Sequence, residues 1–286
     1  MRYRSLVMTT QRQLDRESFR AARARRSIGI ATSSTVVFFA VVVGVIVLSP
    51  GFDRVRTSFL DLSVAKDSIK PILEGLWLNV RVLAVCAVIV PILGLAIALA
   101  RTLRGAVYFP IRFLAAAYTD IFRGAPLIIL LYIIGFGLPG LRLHGIPTDV
   151  AVLGTVAIIV TYSAYVAEVF RAGIESIHPS QRAAARSLGL TYGQTMRRVV
   201  VPQAVRRVLP ALLNDFVALQ KDVGLISVLG AVDAVRAAQI QADVAANFTP
   251  YVVAGIAFIL LAVPTARVAD YVTLRSIRKQ SGSAVV

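Results

Sequence analysis

Six long apolar runs set between short arginine-rich stretches constrain this chain more than any other feature. About 20 consecutive apolar residues cross a bilayer, and candidate spans cover residues 28–48, 76–100, 106–138, 150–170, 208–229 and 250–269. Hydrophobic residues make up 57% of the 286 and charged residues only 16%, against about a quarter charged in soluble domains. The expectation is an all-α, multi-pass membrane protein. The net charge of +16 comes from arginines clustered between the apolar runs, which is the pattern of membrane topology rather than of a nucleic-acid groove. Cys86 is the one cysteine, so no disulfide framework or metal-ligand cluster is expected. His144 and His178 lie far apart in sequence and read as surface loop residues. The cationic start followed by an apolar run without a small-residue cleavage pattern reads as a retained anchor.

The third run is too long for one untilted crossing and contains Arg112, Asp120 and Arg123. Whether it crosses once or twice fixes the side of every later loop, and the bias of arginine toward the cytoplasm decides it. Residues 1–27 hold eight arginines against two acids, and residues 171–207 hold seven against one. One crossing puts both stretches, and the tail with Arg275, Arg278 and Lys279, on the same side. The part before Arg123 then reads as an interfacial helix, and residues 125–138 do most of the crossing. The expected organisation is a basic cytoplasmic tail (1–27), an N-terminal transmembrane helix (28–50) and an extracytoplasmic segment (51–75). A transmembrane domain (76–274) with a cytoplasmic loop (171–207) and a basic tail (275–286) follow. That makes six spans with both termini in the cytoplasm.

The loop is more structured than a turn requires. Pro179 with Ser180 as cap starts a helix, three alanines (Ala183, Ala184, Ala185) run through it, and Gly189 stops it. Thr191 caps a second short helix, which Pro202 ends or kinks. Little side-chain bulk suits the first helix to a groove on another protein, with Arg182, Arg186, Arg197 and Arg198 at its edges. A basic hairpin resting on anionic lipid is the other account.

The segment resembles the cytoplasmic loop of bacterial ABC-importer permeases, in which Glu-Ala-Ala is followed after three residues by Gly and after nine more by a hydrophobic stretch ending in Pro. Ala184 and Ala185 match the alanines, Gly189 the glycine, and Val199, Val200, Val201 and Pro202 the end; Ala183 replaces the glutamate. Arg123-Gly124-Ala125-Pro126 is similar to the Arg-Gly-Thr-Pro signature of the polar amino-acid permeases. Residues 163–174, 209–216 and 219–225 look like the same family's later spans, with Val223-Gly224 where that family has Thr-Ser. The resemblance covers about residues 72–275. It implies a five-span permease core, here with an extra N-terminal helix, and an ATPase-docking surface of Gln181, Ala184, Ala185, Gly189, Val199, Val201 and Pro202. It also implies a cytoplasmic ATPase dimer carrying ATP and Mg, a second permease chain (identical or related), and an extracytoplasmic solute-binding protein. Beyond membrane lipid, no cofactor is expected on this chain and no nucleic acid as a partner. With no GxxxxGK[ST] loop, it is not itself expected to hydrolyse ATP.

Charged residues inside spans are costly and need partners or water. Asp120 and Arg123 are three apart, as are Glu168 and Arg171, so each pair can meet on one helix face. A structural ion pair and a cytoplasmic gate both fit. Asn214, Asp215, Lys221 and Asp222 share one span with Gln220 as a candidate solute pathway; helix–helix hydrogen bonding accounts for Asn214 as well as solute contact does, while a zwitterionic solute in an aqueous path would supply charges complementary to Lys221 and Asp222. Asn79 and Arg81 begin a span on the outer side, where snorkelling explains them, with Trp77 as an interfacial anchor. A stand-alone secondary transporter or channel for small polar solutes is the alternative function. A membrane-embedded enzyme finds no HExxH or GxSxG motif in its support.

Overall fold

The structure, a computed structural model, describes the backbone of residues 2–145 and 147–282, and the side chains of residue 19 and of residues 26–145 and 147–275. The basic side chains expected in the N-terminal tail before Arg26, and those of Arg278 and Lys279, lie outside the described residues. Every described element is helical, and the chain divides into two compact units at Ser58.

The first unit holds α1 (Arg2–Val47) and most of α2 (Phe52–Phe59). In the apolar part of α1, Thr32 and Thr35 donate their hydroxyls to the carbonyls of Ile28 and Ala31 at 2.8 and 2.7 Å. A lipid-facing helix must satisfy its polar groups internally in this way.

The second unit opens with α3 (Leu62–Thr102), a 41-residue helix about 60 Å long. It begins at Leu62 rather than near residue 76 because Asp61 caps it, its carboxylate accepting from Ser63 N at 2.9 Å and Val64 N at 3.3 Å. Pro71 and Pro91 are absorbed inside it. The third apolar run breaks as expected: α4 (Phe109–Gly124) and the segment formed by α5 (Leu127–Tyr132), a π-turn (Ile133–Gly137) and α6 (Leu138–Gly140) meet at 106°. Pro126 forces the break, since the residue before proline leaves the helical region. Asp149 caps α7 (Val150–Glu175).

After the hairpin helices α8 (Pro179–Ser187) and α9 (Tyr192–Thr195), a π-turn (Met196–Val200) feeds α10 (Val201–Asp222) and a tight 3₁₀ stretch (Val223–Leu229). Pro202 does not end this helix. It occupies the first turn of α10, where its missing N–H costs little, and one rod runs from Tyr192 to Leu229. The rod then bends by 52° into α11 (Ala234–Ala245), and α12 (Thr249–Gly282) completes the unit.

The core is the seam of α3, α7 and α10, where Cys86, Val90 and Ala98 meet Ile158, Val166 and Phe170, with Val200, Ala204 and Leu219 closing the third side. Among the described residues, four helices are long and apolar enough to cross a membrane, or up to six if each bent pair counts as one span. The fold is that of an all-α integral membrane protein.

Candidate functional site

Local sequence shapes the hairpin between α7 and α10. His178, not Ser180, caps α8: its Nδ1 accepts from Ser180 N at 3.2 Å and meets Ser180 Oγ at 2.7 Å. At the other end Gly189 takes φ +83° and Leu190 N reaches back to Ala185 O at 3.2 Å, a stop that needs a residue free of Cβ strain. Thr191 and Gln194 cap α9 reciprocally, so the second expected cap is present. Arg182 ties α8 down by donating to Ile174 O at 2.5 Å, and Tyr192 Oη donates to Thr102 O at 2.7 Å.

The expected docking residues separate into two sets. Gln181, Ala184 and Gly189 are exposed, and with them Leu188, 83% exposed and absent from the expected set. Ala185 is buried, Val199 and Val201 are half-buried, and Pro202 is exposed at the foot of α10. Of the valine run, Val200 is the one fully in the core.

At the same end of the bundle, Glu168 collects three arginines. Arg101 donates to its Oε2 at 2.7 Å, Arg171 grips Oε1, and Arg123 approaches Oε2 at 3.7 Å. Arg171 also reaches Glu175 at 2.5 Å. The expected Glu168–Arg171 pair is therefore formed. The expected Asp120–Arg123 pair is not: Arg123 turns toward Glu168, while Asp120 is exposed. Arg101, from 67 residues earlier, escapes sequence reasoning because spacing rules reveal only partners on the same helix.

Halfway along the bundle, α10 presents two polar faces. Asp215 and Asp222, two turns apart, are half-buried toward α7. Tyr162 Oη donates to Asp222 Oδ2 at 2.7 Å. Asp215 Oδ2 is buried without a hydrogen-bond partner among the described residues and borders a cavity of about 430 Å³ lined also by Cys86, Val90, Tyr162, Leu212 and Phe216. Asn214 and Lys221 point elsewhere, both on the exposed face of α10. Gln220 beside them is 1% exposed, and both atoms of its amide lack partners among the described residues. A charge at the centre of a spanning helix costs about 2.5–3.5 kcal/mol on insertion scales, so such groups mark places that water, a ligand or a second chain reaches.

Asn79 is not a snorkelling residue. It is 1% exposed, its Nδ2 donates to Asp233 Oδ2 at 2.9 Å and to Val223 O at 3.2 Å, and its Oδ1 accepts from Ala234 N at 3.1 Å. One amide thus holds both ends of the bend between α10 and α11. Asp233 caps α11 by accepting from Arg236 N at 2.9 Å. Trp77, 61% exposed, keeps the outward position that an interfacial residue needs. The local sign of this latch is Asp233 as an N-cap; its partner on α3, 154 residues away, carries none.

The comparisons follow the fold and these placements. Residues 92–278 match the family described as the binding-protein-dependent transport system inner membrane component. The arginine transport system permease protein ArtQ of Bacillus subtilis (strain 168) is 35% identical over 203 residues, covering 71% of this chain and 90% of ArtQ. The probable glutamine ABC transporter permease protein GlnM of the same organism is 31% identical over 219 residues, 76% of this chain and 98% of GlnM. Among solved structures, an amino acid ABC transporter with histidines aligns with a TM-score of 0.68 at 32% identity, over 76% of this chain and 99% of that one. The inward-facing MetNI methionine ABC transporter aligns with a TM-score of 0.57 at 20% identity and shares the fold. With its core of packed membrane helices and its structured hairpin, the chain belongs to the family of binding-protein-dependent transport system inner membrane components, as an ABC-transporter permease.

Proposed function

We propose that this chain is the permease subunit of a bacterial importer for polar amino acids, powered by a separate ATPase. The relatives named as arginine and glutamine permeases support the solute class. Two permease chains line the path, a solute-binding protein delivers from outside, and ATP with Mg sits on the ATPase dimer rather than on this chain. Six spans in the bacterial cytoplasmic membrane, with both termini and the hairpin in the cytoplasm, fit the arginine distribution.

The observation that carries the reading is the unbroken rod from Tyr192 to Leu229. A partner that moves the hairpin moves the helical stretch continuous with it, whose second half holds Asn214, Asp215, Lys221 and Asp222. Closure of the ATPases on α8 is thereby transmitted to mid-membrane side chains. The Glu168 cluster holds the hairpin end of α3, α4 and α7 together beside it.

The test is uptake into proteoliposomes holding the chain, its ATPase and its binding protein. ATP-driven accumulation of an amino acid that stops when the ATPase is omitted supports the importer; accumulation that survives the omission supports the stand-alone transporter instead. On the docking face, Leu188 is the exposed apolar knob at the end of α8. Between Glu175 and Asp215 the chain has six arginines and no acid, so the ATPase groove receiving it pairs an apolar pocket with an acidic rim. Leu188→Asp is expected to weaken ATPase binding by at least tenfold, measured by titrating purified ATPase onto nanodisc-embedded permease. Its 83% exposure keeps the fold out of the result.

A further inference from the structure

We propose that the cavity between α3 and α11 is a binding site for a basic amino acid, with Glu74 receiving the side-chain cation and Arg81 the α-carboxylate; the proposal rests on the importer reading, which puts this cavity at the outer face, and names a ligand class for that face. The depth follows from α3. Arg101, at the hairpin end of α3, joins the Glu168 cluster. Arg81 lies 20 residues before it, about 30 Å along the helix, which is the thickness of the hydrocarbon layer. Arg81 is therefore at the opposite border of the membrane from the hairpin, and Glu74 stands two turns beyond it.

The cavity encloses about 400 Å³ and is lined by Glu74, Leu78 and Arg81 of α3, by Val232 at the bend, and by Ile240 and Gln241 of α11. Spacings of four and three put the α3 residues above one another on one helix face. Glu74 and Arg81, about 10 Å apart along the axis, mark the two ends, and apolar side chains fill the middle. Both charged residues are exposed. Neither makes an ion pair or a side-chain hydrogen bond among the described residues, and Lys70, one turn before Glu74, does not capture it. Val232 and Ile240 are exposed apolar groups beside them. Behind the wall, Asn79 and Asp233 satisfy each other. The polar groups left to a ligand are Glu74, Arg81 and the half-buried amide of Gln241.

The spacing of the charges selects the ligand. The α-ammonium and α-carboxylate of a neutral amino acid share one carbon and cannot reach two groups two turns apart. A basic amino acid carries a second cation at the end of an aliphatic stem. That cation pairs with Glu74 while the carboxylate meets the planar fork of Arg81, which suits two parallel hydrogen bonds. The stem lies over Leu78, Val232 and Ile240, and the α-ammonium donates to the amide oxygen of Gln241. An acidic amino acid in this pose sets carboxylate against carboxylate at Glu74 and is repelled.

The test measures ligand affinity of the nanodisc-embedded full-length permease without its solute-binding protein. Ionic strength is kept low, because exposed charge pairs are screened by salt. The probes are L-arginine, norvaline (no side-chain cation), agmatine (no carboxylate) and 2,3-diaminopropionate, whose second cation sits on a short stem. Wild type is expected to bind arginine about fivefold more tightly than each of the other three, the scale of a partly exposed charge contact. Glu74→Gln is expected to abolish the preference over norvaline and keep the preference over agmatine; Arg81→Gln is expected to do the reverse. Unfolding temperatures within about 2 °C of wild type check that both variants keep the fold. Arginine affinity that neither substitution changes places binding elsewhere on the chain and overturns the site. So does a wild type that binds none of the four or all four equally, and so does a uniform loss across the probes in either variant. Failure of the importer reading is distinct: the crossed pattern persists while the assembled transporter shows no ATP-driven uptake.

Discussion

Replacing Asn79 with alanine is expected to destabilise the protein by about 3 kcal/mol. Hydrogen bonds between membrane helices contribute roughly 0.6–1.7 kcal/mol each, and Asn79 makes three, to Asp233 Oδ2, Val223 O and Ala234 N. The loss also strips a donor from a carboxylate that is wholly buried, and a buried acceptor left short of partners carries its own penalty. Thermal unfolding of the purified chain in detergent should fall by several degrees. Asn79→Asp should be worse, because it sets a second carboxylate against Asp233 where both resist desolvation. Gly75 gives an independent test of the same contact. A Cβ there would stand 2.4 Å from the backbone carbon of Asp233 and 2.6 Å from Ala234 N, atoms that cannot swing aside, so Gly75→Ala should push α3 off the bend and reproduce the Asn79 phenotype. Wild-type unfolding temperatures for both variants would mean that the bend holds itself.

What was legible in the chain and what was not divide along sequence distance. The apolar runs announced the membrane class, because a bilayer demands long uninterrupted apolarity that few soluble helices possess. The stop at Gly189 and the cap at Thr191 were legible because each is decided within four residues. The division of the third run near Arg123 was legible from the arginine distribution, although the proline that makes the break, Pro126, was not read for it. Pro202 misled: proline read alone says that a helix ends or kinks, while proline two residues after the π-turn sits in the first turn of the next helix. His178 misled in the other direction, since histidine is an uncommon cap and only the ring's position against Ser180 N reveals it. The site charges were read as local pairs because spacing is all that a sequence offers. Glu168–Arg171 survived that limit and Asp120–Arg123 did not, because a competing carboxylate on another helix took Arg123. The same limit hid the two faces of α10. Asn214 and Asp215 are adjacent in sequence, yet about 100° of helix rotation puts one on the exposed face and the other against α7.

Glu168 carries the second large expectation. Its neutral variant Glu168→Gln should reduce ATP-driven uptake at least tenfold, while Glu175→Gln stays within about twofold of wild type. The two carboxylates share Arg171 but differ in what else depends on them. Glu168, 23% exposed, joins Arg101 on α3, Arg123 on α4 and Arg171 on α7; Glu175, 57% exposed, meets Arg171 alone among the described residues. Removing one member of a fully buried ion pair costs about 3–5 kcal/mol and removing an exposed one less than about 1 kcal/mol. The partial exposure of Glu168 sets its loss between these, near 2 kcal/mol, equivalent to roughly thirtyfold in a conformational equilibrium. Because α3 and α7 form one packed seam along Cys86, Val90, Ile158 and Val166, losing the cluster should loosen that packing, and thermal stability should fall together with uptake. A loss of uptake at unchanged stability would instead make the cluster a gate that opens and closes during the cycle. The charge-swapped double variant Arg101→Glu with Glu168→Arg separates this cluster from a simple pair. In a simple pair the swap restores the attraction. Here it should not, because the new arginine at 168 would face both Arg171 and Arg123 with the carboxylate now on α3, and like charges at these distances repel. Recovery of wild-type uptake by the swap would show that the Arg101–Glu168 contact acts alone and that the other two arginines are bystanders.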